Sequence, residues 1–107
     1  MTALKEYARL ESSGLWRPGP EDQRREVALS FGEATLVISD LAGRPITHWS
    51  LPAIERLNGD NLPALYSPDP DGKETIELSD DMMIDAIDKV RTAVAQAQPR
   101  PGRLRQM

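Results

Sequence analysis

The sequence predicts an α+β domain: an antiparallel bent sheet, or a small partly open barrel, with one C-terminal amphipathic helix packed on it. Three observations predict this class. Apolar and polar residues alternate through residues 24–51, a short alternating run recurs at residues 74–79, and a helical period begins at residue 80. A period of two indicates strands with one buried face, and a period near 3.6 indicates a helix that buries one stripe.

The 107-residue chain carries a formal charge of −4 and contains no cysteine. This length suits one small domain. The negative charge disfavours a specific nucleic-acid binder, because phosphate contacts need a basic face. The lack of cysteine excludes disulfides, thiolate metal sites and cysteine nucleophiles. The N-terminus has no run typical of a signal peptide, and no stretch approaches the roughly 20 apolar residues of a membrane span. We therefore expect a cytoplasmic location.

Residues 1–23 are expected to contain no strand. The apolar spacing over residues 2–12 predicts a short helix. The stretch "LWRPGPEDQ" at 15–23 holds two prolines and a glycine, which predicts a loop. Trp16 in this loop is expected to fold back onto the core, because an indole ring has a large apolar area.

Two hairpins are predicted between residues 24 and 51. In the first, Gly32-Glu33 is the expected two-residue turn, since a leading glycine is typical of type II′. Counting from this turn gives three facing pairs on one apolar face: Phe31 with Ala34, Leu29 with Leu36, and Val27 with Ile38. A loop over 41–44 closes the second hairpin. It gives three further pairs: Asp40 with Pro45, Ile38 with Thr47, and Leu36 with Trp49.

The only histidine, His48, stands beside Trp49 in the stretch "PITHWSL". Because successive strand residues point to opposite faces, Trp49 is predicted to lie in the core and His48 on the other face beside Val37. A single histidine without partner groups is seldom catalytic. His48 and Val37 are therefore the candidate partner-binding residues.

The segment at 50–59 is ambiguous. Pro52 fits either the first turn of a short helix or the edge of a bent strand that continues through Ile54 and Leu57. The strand is preferred, because so short a helix nucleates poorly. Short strands are also expected around Leu65 and over residues 74–79.

The helix is predicted over residues 80–95, with Ser79 as its N-cap and two aspartates in its first turn. Asp85 and Lys89 form an i,i+4 pair on the polar side. The apolar face comprises Met83, Ile84, Ala86, Ile87, Val90 and Val94. Residues 96–107 hold prolines and arginines with no acid, which predicts a tail or linker.

Motifs that would indicate catalysis are missing from the sequence. There is no G-x-S-x-G elbow for His48 to serve and no phosphate-binding glycine pattern. Pro70 interrupts the acidic stretch where a calcium loop needs a ligand-bearing turn. We therefore expect no enzyme activity, no cofactor and no metal. The alternative is a small ligand-binding protein or enzyme that uses His48 with Asp40 or Glu33, which a pocket lined by those groups would favour.

Charge is divided along the C-terminal third. Residues 69–88 hold eight acids and one base, whereas residues 89–107 hold five bases and no acid. The terminal arginines are candidate membrane-proximal basic residues, because arginines flanking a span bind anionic head groups: Arg100, Arg103 and Arg105. If these arginines lie beside a membrane, the chain is expected to be the cytoplasmic head of a longer membrane-anchored protein. A solubilising tail, or one that contacts nucleic acid in a salt-dependent way, is the alternative.

Residues 24–94 resemble pleckstrin-homology-like domains in element order. "REVALSFGEATLVISD" and "ITHWSL" correspond to early strands, and "SDDMMIDAIDKVRTAV" to the helix that plugs one end of a bent barrel. The stretches "HWSL", "PALYSP" and "RPGRLR" are also similar to N-terminal regions of uncharacterised proteobacterial membrane-anchored proteins.

The first resemblance implies an adaptor fold that binds peptides, proteins or lipid head groups and performs no chemistry. Phosphoinositide-binding members carry a basic loop between their first two strands. Gly32-Glu33 stands in that place here, and it is too short and of the wrong charge for a phosphorylated head group. The expected function is therefore a non-enzymatic interaction or scaffolding domain with a protein or peptide partner, bound through a strand edge or the face of His48 and Val37.

Overall fold

The computed structural model describes residues 9–69 and 71–97, and their side chains through residue 93. These residues form seven antiparallel strands, a 3₁₀ helix and an α-helix. In chain order they are β1 (Glu11–Arg17), β2 (Arg25–Phe31), β3 (Thr35–Ser39), β4 (Pro45–Ser50), the 3₁₀ helix (Leu51–Ala53), β5 (Glu55–Arg56), β6 (Ala64–Ser67), β7 (Thr75–Leu78) and α1 (Asp81–Ala97). The strands form one sheet in the order β4-β3-β2-β1-β7-β6-β5, which curls into a half-barrel. The predicted α+β class is confirmed.

The core lies between the concave face of the sheet and α1. Every second residue is buried in β3 and, from Val27 onwards, in β2, as period-two patterning predicts. The helix contributes its predicted apolar face, and four of its residues are buried: Met83, Ala86, Ile87 and Val90. The helix also packs against the 3₁₀ helix, where Leu51 is buried and the Arg91 guanidinium donates to the carbonyl of Ile54.

The sheet begins earlier in the chain than the sequence predicts. Residues 11–17 form β1, which pairs with β2 on one side and β7 on the other, so the predicted helix end and loop are wrong over these residues. Gly14 faces the core here. A Cβ at this position would lie 3.0 Å from the carbonyl oxygen of Glu77 and 3.2 Å from Leu29 Cδ1, which is tighter than ordinary contact. Residues 1–8 lie outside the described residues.

The turn of the first hairpin lies one residue later than predicted, which shifts the pairing of β2 with β3 by two residues. Phe31 pairs with Leu36 and Leu29 with Ile38, so Glu33-Ala34 is the turn, and Ala34 has a φ of 60°. The predicted pairing of Phe31 with Ala34 is therefore wrong, as are the two pairs counted from it. The shift is an even number of residues, so the predicted apolar face is unchanged and its side chains are buried or half-buried.

The second hairpin has the predicted register over most of its length. Leu36 pairs with Trp49 and Ile38 with Thr47, as expected. Beyond Ile38 the register shifts, and Pro45 pairs with Ser39 rather than with Asp40. One step along β3 here corresponds to two along β4, which is a β-bulge.

The segment after β4 combines both alternatives that the sequence left open. Pro52 lies in the first turn of the 3₁₀ helix, and the chain then extends through Ile54 into β5. The short strands predicted around Leu65 and over residues 74–79 are β6 and β7.

Helix α1 begins one residue later than predicted and extends to Ala97. Its N-cap is Asp80, not Ser79, because Asp80 Oδ1 accepts the amide N–H of Met82 at 3.0 Å and that of Met83 at 3.4 Å. The predicted pair of Asp85 and Lys89 is present, with 3.1 Å between Oδ2 and Nζ. The side chain of Val94 lies outside those described.

Candidate functional site

His48 and Val37 lie side by side on the convex face of the sheet. They are directly opposite each other across β3 and β4, with His48 exposed and Val37 half-buried. Trp49, one residue on, points to the core and is 3% exposed, as predicted. A shallow, mostly apolar groove surrounds the pair, and six residues line it: Thr35, Val37, Pro45, Ile46, Thr47 and His48.

The groove follows a free edge of the sheet. Strand β4 is the last strand on its side and pairs only with β3 among the described strands. The amide N–H of Leu51 donates to the carbonyl of Ala34 at 3.0 Å, which makes these two a hydrogen-bonded pair in the register of the hairpin. Hydrogen-bonded pairs alternate along an antiparallel ladder, so Trp49 and Thr47 also bond towards β3. The backbone groups of His48 and Ser50 therefore point away from the sheet.

The free edge is short. On one side the bulge and Pro45, which has no N–H, end regular pairing. On the other side the chain turns into the 3₁₀ helix at Leu51. An additional strand could therefore pair with about four or five residues of β4, through the N–H and C=O groups of His48 and Ser50.

Neither Asp40 nor Glu33 lines this groove. The Asp40 carboxylate instead closes the β3–β4 loop: its Oδ1 accepts the amide N–H groups of Ala42 and Arg44, and its Oδ2 accepts the Arg44 Nε–H at 3.0 Å. The hydrogen bond from the Arg44 amide, followed by that from its guanidinium, holds the pKa of Asp40 below its usual range. Asp40, one of the two carboxylates that a His48-based catalytic site could use, is thus engaged within its own loop.

No group of three or more histidine and acidic side chains is arranged to hold a metal ion within residues 9–69 and 71–93. Arg100, Arg103 and Arg105, the candidate membrane-proximal residues, lie outside the described residues. Across the part of the chain that the structure describes, no helix has the length and apolar character needed to cross a membrane.

A second surface was not predicted from the sequence. Leu15, Leu57 and Leu62 are 40%, 43% and 63% exposed, and they line two adjoining grooves that share Pro63 and Glu77. We call this surface the leucine patch; it also includes Leu65. Leu15 lies on β1 and the other leucines lie within residues 57–65, so no single local period marks them. The one available sequence signal was that Leu57 and Leu62 stand beside the turn-forming residues Asn58 and Pro63.

Comparison with known proteins finds no protein-family model, no curated protein and no solved structure that matches this chain.

Proposed function

We propose that this domain is a non-enzymatic interaction module that binds an extended segment of a partner protein as an added strand along β4. The observation that carries the proposal is the coincidence of the free edge with the apolar groove. The backbone of His48 and Ser50 supplies main-chain hydrogen bonds, and the side chains of Val37, Ile46 and His48 supply a surface for every second side chain of the added strand. This combination is the usual basis of strand addition.

The element order supports an adaptor fold of the pleckstrin-homology-like type, which is part of the same proposal. A curled antiparallel sheet ends in one amphipathic helix that packs on its concave face. However, Gly32-Glu33 does not lie between the first two strands of the structure. Strand β1 precedes this hairpin, so Gly32-Glu33 follows the second strand. The loop in that place is residues 18–24, which holds Glu21 and Asp22 as well as Arg24. Two acids in the loop disfavour a phosphorylated head group, so we propose a polypeptide partner.

The test is a selection of linear peptides against the full chain, followed by affinity measurements on a substituted edge. His48→Pro removes an N–H that points away from the sheet and leaves the β3 hydrogen bonds in place. We expect this substitution to lower the affinity for the selected peptides by about tenfold or more, which is the equivalent of one or two main-chain hydrogen bonds.

Two control variants separate the backbone from the side chain. His48→Thr keeps the outward N–H and should bind within a few-fold of the natural chain. Leu41→Pro places the same residue type in the β3–β4 loop outside the groove, at the second position of the turn that the Gly43 amide closes, and should leave peptide affinity unchanged. Enrichment of no peptide, or equal affinity for His48→Pro and the natural chain, would contradict strand addition at β4.

A further inference from the structure

A groove of about 420 Å³ lies between helix α1 and the β5 end of the sheet. Arg56 of β5 and Tyr66 of β6 line it and pair directly across the two strands. Tyr66 also pairs with the buried Ile76 of β7, and directly opposite residues share a face, so these side chains lie on the concave side. One wall is the loop after β5, with Gly59 and Asp60, and the other wall is one side of α1.

Helix α1 contributes one stripe of residues that are three or four positions apart and therefore neighbours on its surface. The stripe comprises Asp81, Ile84, Asp85, Asp88 and Arg91. Two of its carboxylates are paired: Asp85 Oδ2 lies 3.1 Å from Lys89 Nζ, and Asp88 Oδ1 lies 3.6 Å from Arg91 Nη2. Arg91 also donates to the carbonyl of Ile54.

Three other charged side chains of the groove have no ion-pair partner within residues 9–69 and 71–93: Arg56, Asp60 and Asp81. The Arg56 guanidinium carbon lies 6.0 Å from the centre of the Tyr66 ring, and its Nη2 donates to the carbonyl of Asn61 at 3.0 Å. Its Nε–H is buried without an acceptor. The groove thus holds one cation and two carboxylates that the described part of the chain does not neutralise.

Tyr66 adds an unpartnered polar group to the groove. The residue is only 3% exposed, yet its hydroxyl makes no hydrogen bond to any residue that the structure describes. A tyrosine hydroxyl usually has a partner when the side chain is buried, and leaving it without one costs free energy. A ligand in the groove that accepts this O–H recovers that cost.

Neither a metal ion nor a simple anion fits these groups. A divalent metal needs several oxygen atoms that converge on one point, and the described residues contain no such group of three. A simple anion would be repelled by two unpaired carboxylates. The unpaired charges instead match an organic molecule with two cations and one carboxylate. A free basic α-amino acid carries this set near neutral pH, because its α-ammonium, its side chain and its α-carboxylate are all charged.

We propose that the groove binds a free basic α-amino acid such as lysine. The ligand carboxylate accepts hydrogen bonds from the Tyr66 hydroxyl and the Arg56 guanidinium. Its two cations lie against the carboxylates of Asp60 and Asp81. The site is independent of the partner proposed for β4, because β4 and β5 are opposite ends of the strand order and the two grooves share no lining residue.

A nuclear magnetic resonance titration of the isotope-labelled full chain with L-lysine tests the site. This measurement detects weak binding and shows where the ligand lies. We expect saturable shifts in the amide signals of Gly59, Tyr66 and Ile84, which line the groove. The signals of His48 and Ser50, on the far edge of the sheet, should not move.

Two analogues each remove one charged group from lysine. Cadaverine is the diamine that lacks the carboxylate. Nα-acetyl-L-lysine lacks the α-ammonium and represents the C-terminal lysine of a polypeptide. Each analogue should have a dissociation constant at least about tenfold higher than that of lysine, because it leaves a charged group of the groove unpaired.

Substitutions in the groove should distinguish the two kinds of contact. Arg56→Gln should raise the dissociation constant of lysine by about tenfold and should not raise that of cadaverine, which has no carboxylate for Arg56 to bind. Asp60→Asn and Asp81→Asn should each raise both constants. Asp71→Asn is the matched control, since Asp71 is exposed and lies outside the groove. It should change either constant by no more than about twofold.

Tyr66→Phe removes the hydroxyl alone. It should raise the dissociation constant of lysine several-fold without lowering the melting temperature, because the free chain has no hydrogen bond of this hydroxyl to lose. Amide spectra show whether each variant folds, and because four groove positions are changed independently, the test does not depend on any one of them.

Four outcomes would overturn the proposal. Lysine could cause no saturable shift in the groove. Equal affinity for cadaverine would assign the groove to diamines, and equal affinity for Nα-acetyl-L-lysine would assign it to a polypeptide C-terminus. Equal weakening by Asp71→Asn and Asp81→Asn would show only a general attraction of cations to an acidic chain.

Discussion

Trp49 and His48 are neighbours in the chain and lie in opposite environments. Trp49 is buried in the concave core, and its indole N–H donates to Glu74 Oε2 at 2.9 Å. His48 is exposed beside Val37 on the convex face. Removal of the indole would leave a cavity whose lining side chains lose their contacts, whereas removal of the imidazole would leave only solvent.

Trp49→Ala should therefore lower the free energy of unfolding by about 3–5 kcal/mol, and His48→Ala should change it by no more than about 0.5 kcal/mol. Urea denaturation followed by far-UV circular dichroism measures both values without relying on tryptophan emission. A large cost for His48→Ala with a small cost for Trp49→Ala would mean that the register of β4 is wrong by one residue.

The environments of these residues could be predicted because they depend only on odd and even positions along a strand. The turn of the first hairpin could not be predicted in the same way. A Cβ on Gly32 would lie 2.6 Å from Thr35 Oγ1 and 3.1 Å from Val37 Cγ2, so Gly32 is needed as a close-packed residue directly after β2 rather than as one of the two turn residues. That requirement arises only once β3 is in place. The resulting two-residue shift in the pairing of β2 with β3 leaves the same side chains on the buried face.

At the level of single elements, β1 shows why a strand can lack a sequence signal. Its inward positions are Ser12, Gly14 and Trp16, so only one large apolar side chain marks the buried face. Gly14 is small because the backbone of β7 and the side chain of Leu29 approach it closely. The core selects a small residue there, and this removes the alternation by which strands are recognised.

Helix α1 is joined to β1 through its N-cap. The Asp80 carboxylate accepts two amide N–H groups of the first turn, and its Oδ2 accepts the Ser12 hydroxyl at 2.9 Å. The bond from Ser12, followed by those from the amides of Met83 and Met82, lowers the pKa of Asp80 below its usual value. A lowered pKa in the folded state means that the carboxylate stabilises the fold above the unfolded pKa, which is about 3.9, and that this contribution is lost as the pH falls through the folded pKa.

Asp80→Asn should accordingly melt below the natural chain near neutral pH by a few degrees, and this difference should shrink as the pH falls and the carboxylate of the natural chain loses its contribution. Asp80→Ala should melt lower at both pH values, because it also removes the acceptor of the helix amides. Thermal unfolding at about pH 7 and about pH 2.5 compares the three chains. A difference between Asp80→Asn and the natural chain that is the same at both pH values would show that the Asp80 charge does not contribute.

At the scale of the whole molecule, the curl of the sheet brings residues from distant strands together. Strand β4 is an edge, while β1 and β7 lie in the middle of the strand order. Glu74, just before β7, nevertheless accepts the indole N–H groups of both Trp16 and Trp49 on one oxygen, each at 2.9 Å. This carboxylate connects the β4 side of the concave face to β1 and β7. The sequence predicted that both indoles pack on the core, but it held no indication of their shared acceptor.

Glu74→Ala should reduce the free energy of unfolding by about 1–3 kcal/mol, because it leaves the buried indole N–H of Trp49 without an acceptor. Glu74→Gln retains a carbonyl oxygen at the same distance along the side chain and should lower the free energy of unfolding by a smaller amount. In a Trp49→Phe background, which has no indole N–H, the cost of Glu74→Ala should fall, and the difference between the two backgrounds measures the coupling. Equilibrium urea denaturation supplies all the values. Additive costs for Trp49→Phe and Glu74→Ala would show that this hydrogen bond does not help to hold the half-barrel closed.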